Sequence, residues 1–126
     1  MVANIDIAPT VMDAAGVGPS GPAFDGESLL SSTPRSRLLL EYWTDPVAPR
    51  IPTWASTLTK DQQYTEYYRS DGTRRFRELY DLDSDPHQLL NRLGDGDRSN
   101  DPSPQRLDSL SRRLEKDRSC VAQSCP

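Results

Sequence analysis

The sequence predicts an α+β fold: a small antiparallel sheet of three to four strands with a C-terminal helix packed on one face, preceded by a short N-terminal helix. Three observations predict it. Two aromatic-rich runs flank Asp71-Gly72, a dipeptide suited to a tight hairpin turn. Leu107, Leu110 and Leu114 recur at helical spacing behind a Ser103-Pro104 start. Asn4 to Ala15 reads as a helix that Gly16 ends.

In chain order, the first helix is capped by Asp6, carries Pro9 in its first turn and has one apolar side at Val11, Met12 and Ala15. Gly16 to Pro22 holds three glycines and two prolines, which excludes regular structure, and the loop continues through Asp25 to Leu29. Leu38 to Trp43 has strand length, ends in aromatics and is released by Asp45-Pro46. After a loop containing Pro49 and Pro52, Trp54 to Thr59 forms a second, Thr-rich strand.

The hairpin joins Tyr64–Tyr68 to Phe76–Leu82. With Asp71-Gly72 as a two-residue loop, Tyr67 faces Phe76 and Glu66 faces Arg77, both favourable pairs, while Arg69 faces Arg74 unfavourably at the tip. Phe76, Tyr80 and Leu82 share a face. Asp85-Pro86-His87-Gln88 reads as a capped helix start, with one or two turns expected as far as Leu93. Gly94 to Pro104 is a polar linker. The last helix follows, its leucine stripe covering one sheet face and the pairs Asp108–Arg112 and Arg113–Asp117 supporting its outer side.

Composition limits what this fold can do. Leu, Ile, Val and Phe supply 24 of 126 residues, close to the ~20% level that separates folding chains from disordered ones when net charge is high. Net charge is only −4, so the composition fits a partly ordered chain or, as preferred here, a piece whose apolar faces pack on something outside it. Fifteen basic residues against nineteen acidic give no overall field to attract nucleic acid or an anionic membrane, and neither is expected as a partner. No apolar run approaches the ~18 residues of a membrane span, and the start lacks the pattern of a signal peptide. An export signal, if the parent protein has one, lies upstream.

Cys120 and Cys125 are separated by four residues. A disulfide is the simplest reading in an oxidising compartment; free thiols are the alternative. A zinc site is disfavoured because it needs about four ligands and the one histidine, His87, lies far off in sequence.

Read in order, three phrases resemble the closing region of the sulfatases, the alkaline-phosphatase-like hydrolases of sulfate esters. Ile5-Asp6-Ile7-Ala8-Pro9-Thr10 through Ala15-Gly16 resembles the helix that ends their catalytic domain, and Asp25-Gly26-Glu27-Ser28-Leu29 the loop that follows it. Glu78 to Pro86, with Asn91 at the usual offset, resembles their late strand and capped turn, Gln88 standing where Glu is more common. Leu39-Leu40-Glu41-Tyr42 and the closing segment Ser119 to Pro126 are most similar to the N-acetylglucosamine-6-sulfatase branch, whose members end in a comparable two-cysteine loop.

The resemblance implies that residues 1–16 are the last helix of a missing catalytic domain, 17–37 a connecting loop and 38–126 the C-terminal subdomain. It implies a sulfuric ester hydrolase as parent, in a secreted, periplasmic or lysosome-like oxidising compartment. The family's nucleophile is a formylglycine made from the cysteine of Cys-x-Pro-Ser-Arg, working beside a calcium ion held by Asp and Asn oxygens. Neither Cys120 nor Cys125 is followed by that motif. No catalytic, cofactor-binding or metal-ligating residue is therefore assigned in this chain, and calcium and formylglycine are expected in the missing N-terminal region.

Other candidates have structural readings. His87 sits in the first turn of the expected helix without a nucleophile or carboxylate partner implied by the motif. Asp81, Asp83 and Asp85 alternate as in calcium loops but lack the glycine and glutamate such loops need. Trp43 and Trp54 read as packing anchors. Arg69, Arg74, Arg75 and Arg77 gather charge at the hairpin tip beside Tyr67, Tyr68 and Phe76, a candidate contact for a sulfated or otherwise anionic glycan, or for nucleic acid, which a solvated hairpin tip explains as well. The expected function is a structural, cleft-lining C-terminal sulfatase fragment, inactive alone, whose partner is the catalytic domain or a separate chain carrying it. Two alternatives are an autonomous binding module for sulfated glycans or a protein, and one half of a split enzyme.

Overall fold

Local pairing of neighbouring strands builds the centre of the protein. In the computed structural model, which describes residues 1–18, 20–32, 35–47, 50–121 and 125, a 3-10 turn at Asn4–Asp6 leads into α1, Ile7–Ala14. Four strands follow: β1, Arg37–Tyr42; β2, Trp54–Thr59; β3, Gln62–Tyr68; and β4, Arg74–Asp81. The chain then enters α2, Pro104–Arg118. Neighbours in sequence are neighbours in the sheet, all antiparallel. The α+β expectation is met with four strands. Pro19, Pro49, and the tail residues Ala122, Gln123, Ser124 and Pro126, which entered the sequence reading, lie outside the described residues.

The hairpin register agrees with the sequence reading up to its tip and departs there. Tyr67 pairs with Phe76 and Glu66 with Arg77, as expected, but Tyr68 pairs with Arg74. Arg75 is the extra residue of a bulge. The turn holds three residues, not two: the Gly72 N–H donates to the Arg69 carbonyl and the Arg69 N–H to the Thr73 carbonyl. Gly72 takes the left-handed conformation, φ 80°, that this turn-plus-bulge geometry favours. The expected Arg69–Arg74 opposition is thereby removed. Arg69 instead hydrogen-bonds the Thr73 hydroxyl and the Arg74 carbonyl.

Helix α2 starts as expected, with the Ser103 hydroxyl accepting from the Arg106 N–H and Pro104 in the first position. Its stripe lies on the sheet: Leu110 and Leu114 form the core with Ala55, Tyr64 and Leu79, and Leu39, Tyr68, Leu93 and Leu107 pack around them. Polar contacts fix the docking angle. Asp117 receives both Arg37 Nε at 2.9 Å and Arg37 Nη2 at 2.8 Å, Arg118 bonds Glu41, and Arg106 bonds Gln62. The Asp108–Arg112 pair forms on the outer side. Asp117 does not support that side with Arg113; it is buried against β1, where the planar guanidinium of Arg37 satisfies both its oxygens.

Two further expectations are corrected. No helix forms after Asp85. Pro86 and His87 make a turn, Gln88 has φ 56°, and the Asp85 carboxylate accepts from the Leu89 and Leu90 N–H groups. The chain then runs along β4: the Asn91 side chain receives the Leu79 N–H and donates to the Arg77 carbonyl, and the Arg92 N–H donates to the Leu79 carbonyl. An edge strand needs such partners, so pairing with β4 replaces the helical turns. Trp43, read as a packing anchor, is 69% exposed because it falls just beyond β1; Trp54 is partly buried and stacks on Tyr42. On the apolar side of α1, Met12 is partly buried and no residue is fully buried.

Leu114 is fully buried beneath the helix, so Leu114→Ala is expected to lower unfolding free energy by about 2–5 kcal/mol. Val11→Ala, on the exposed side of α1, is expected to change it by less than about 0.5 kcal/mol. Urea unfolding followed by tryptophan fluorescence measures both. Equal effects would contradict this placement of the core.

Candidate functional site

The N-terminal part is organised by Asp6. Its carboxylate, 1% exposed as a residue, receives the Ala3 N–H, the Glu27 N–H and Arg35 Nη2. Burial raises its carboxyl pKa, but the two backbone donors and the Arg35 charge outweigh that and hold it below the ordinary value. Asp6 occupies the cap position of α1 without capping it, since its oxygens are used elsewhere. Thr10 and Asp13 hold the same loop through the Leu29 N–H and the Ser28 hydroxyl. Gly26 is required because a side chain there would collide with the Ile5 carbonyl. Helix α1 ends with Gly16 at φ 65°, the Gly16 N–H donating to Asp13 and the Val17 N–H to Met12.

A second buried carboxylate, Glu66, lies on the central strand β3 under α2 and is 5% exposed. It receives the Tyr64 hydroxyl at 2.6 Å, the Ser111 hydroxyl at 2.7 Å, the Tyr68 hydroxyl at 2.9 Å and Arg74 Nη1 at 3.0 Å. Burial acts to raise its pKa; the three hydroxyl donors and the Arg74 charge overcome this and bring it below the ordinary carboxyl value. The same burial, with Glu66 beside them, pushes both tyrosines up, Tyr68 to about 12.

The four tip arginines therefore divide. Arg74 is bound to Glu66 and Ser111, and Arg77 lies beside Tyr64 on the helix side of the sheet. Arg69 and Arg75 open into a groove of about 450 Å³ between the β1–β2 loop and the β3–β4 turn. Arg50, which the sequence reading did not single out, lines the same groove. Its signal was an isolated cation in a proline-rich loop, and only the fold brings that loop to the hairpin: the Tyr68 N–H donates to the Thr53 carbonyl and the Thr44 N–H to the Thr53 hydroxyl.

His87 is exposed in its turn. The Asp81 carboxylate accepts from the Asp83 and Ser84 N–H groups and from Arg92, and Asp85 serves the Leu89 and Leu90 amides. Cys120 and Cys125 are joined in a disulfide. The resemblance implies a formylglycine and a calcium ion, and these residues fit neither: both cysteines are bonded to each other, and among the described residues no group of three His, Cys, Asp or Glu side chains is placed to hold a metal. No described helix is long and apolar enough to cross a membrane.

No family model matches the chain. It is 31% identical to the N-acetylglucosamine-6-sulfatase of Capra hircus, 30% to that of Bos taurus and 29% to that of Homo sapiens, each over 157 aligned positions covering 99% of this chain. The chain spans 27% of the length of these curated relatives. Its fold is similar to that of a protein solved with its substrate D-glucosamine-2-N,6-O-disulfate (TM-score 0.64, 24% identity, 87% of this chain and 22% of that one). A Bacteroides thetaiotaomicron protein solved in connection with glycosaminoglycan metabolism also has a similar fold (TM-score 0.54, 19% identity, 88% of this chain and 24% of that one).

Because the Glu66 carboxyl is held below its ordinary value of 4.5, its contribution to stability is complete above that pH and is lost as pH falls through the lower folded-state value. The stability difference between wild type and Glu66→Gln is therefore expected to shrink on acidification. Urea midpoints measured across that window test it, and parallel pH profiles would contradict the network.

Proposed function

We propose that this chain, whose sequence is related to the C-terminal region of the sulfatases, is the supporting lobe of a sulfuric ester hydrolase and is inactive alone. In this reading residues 1–16 end the catalytic domain, 17–37 connect, and 38–126 form the C-terminal subdomain that packs on it and helps wall the substrate cleft. The reaction of the whole protein is hydrolysis of a sulfate ester, with the 6-sulfate of N-acetylglucosamine in a glycosaminoglycan as the substrate suggested by the relatives. The nucleophile and calcium ion belong to polypeptide outside these residues. The disulfide suits a secreted, periplasmic or lysosome-like compartment.

One observation carries the reading. Helix α1 is only eight residues long, yet Ile7 and Val11 are 61% and 62% exposed, with Ile5 just before it 48% exposed. Short helices draw their stability from packing an apolar face rather than from propensity, so this face calls for a neighbour. A catalytic domain lying over α1 supplies that neighbour.

The sequence encoded upstream of Met1 is expected to contain Cys-x-Pro-Ser-Arg. Coexpressing that polypeptide with this chain is expected to give aryl-sulfate hydrolysis that neither gives alone. The double variant Ile7→Asp, Val11→Asp is expected to abolish the joint activity while shifting the unfolding midpoint of the isolated chain little. Turnover by the chain alone, or a joint activity indifferent to the double variant, would overturn the proposal.

A further inference from the structure

The arginine groove is separate from the face that α1 presents. We propose that it is an anion-binding site for a sulfate group of a sulfated glycan, gripped by Arg50, Arg69 and Arg75. The choice of sulfate rests on the sulfatase reading; the choice of an anion rests on the groove itself.

In a chain with an excess of acidic residues, three guanidinium groups line this groove and no carboxylate does. The side chains of Arg50 and Arg75 have no partner among the described residues, and Arg69 is hydrogen-bonded only to a hydroxyl and a carbonyl, with the Asp71 carboxylate of the same turn acting on it electrostatically but forming no ion pair with it. The other basic groove, along α2, differs. There a carboxylate, Asp117, lines the wall, Arg37 is neutralised by it and Arg112 by Asp108, and only Arg113 and Lys116 of its four cations stay without an ion pair among the described residues.

Guanidinium forks match the paired oxygens of sulfate and hold them with charge-assisted hydrogen bonds. Thr44, Thr53 and Ser70 add hydroxyl groups to the wall, suited to sugar hydroxyls, and a volume of about 450 Å³ admits a sugar unit. A nucleic-acid strand fits less well. Tyr68, the aromatic residue at the groove, has the Arg118 guanidinium 4.4 Å from its ring centroid and its hydroxyl on Glu66, so it offers no open platform for a base.

The β3–β4 bulge makes the site possible. It sends Arg74 to Glu66 and leaves Arg75 as the unpaired residue beside Arg69. Of the four arginines grouped by sequence, two are therefore structural, and Arg50 completes the site in their stead.

The test is calorimetric titration of the 126-residue chain with a sulfated hexasaccharide, the same hexasaccharide desulfated, and single-stranded DNA of equal charge. Binding of the sulfated ligand is expected to weaken at least about tenfold in Arg50→Gln, Arg69→Gln, Arg75→Gln. It is expected to change less than about twofold in the control Arg98→Gln, Arg113→Gln, Lys116→Gln, which removes the same charge elsewhere. Circular dichroism of both triple variants verifies that they fold. Absence of binding by the wild-type chain, equal loss in both variants, or equal binding of DNA or the desulfated ligand would overturn the site. Such a result leaves the coexpression experiment untouched, because that one reads turnover and this one reads affinity at residues outside the α1 face.

Discussion

A carboxylate placed in the middle of a sheet and then covered by a helix must find enough donors to replace water, and Glu66 finds four. They come from three elements. Tyr64 and Tyr68 belong to β3, Arg74 to β4 and Ser111 to α2, so satisfying one charge fixes the hairpin register and the helix seat together. The bulge at Arg75 follows from the same demand. Without it Arg74 would point to the other side of the sheet, and the carboxylate would lose its cation.

The N-terminal part repeats this logic on a smaller scale. Asp6 is buried with Arg35 and two backbone donors, joining the start of α1 to the loop at Glu27. This explains why two of the sulfatase-like phrases travel together: Asp6 and Thr10 from the first bind the backbone of the second. Asn91, the distant member of the third phrase, pairs with the edge of β4 as a backbone amide would. The phrases that carry the resemblance are structural contacts.

That outcome bears on function. Asp81 and Asp85 are occupied by turn amides, in keeping with their structural reading, and the cysteines by each other. Among what stays open are apolar surface on α1 and positive charge in the groove beside the hairpin, one suited to a protein neighbour and the other to an anion. The proposed role as a supporting lobe would use both.

Much of the architecture was legible because it is local. The Leu107, Leu110 and Leu114 stripe, the Ser103-Pro104 start, the Asp71-Gly72 turn and the Tyr67–Phe76 pairing depend on residues close in the chain or on fixed periodicities, and each element stands near its expected place. The helix expected after Asp85 failed for the opposite reason: the backbone of β4, a distant partner in local terms, competed for the same amides. Arg113 lost Asp117 to Arg37 in the same way. The sequence by itself determined the order and type of the main elements. Which charges are buried and which stay open was decided only by tertiary structure, because burial depends on what lies across the fold, and the Pro-rich loop bearing Arg50 gives no sign along the chain that it returns to the hairpin.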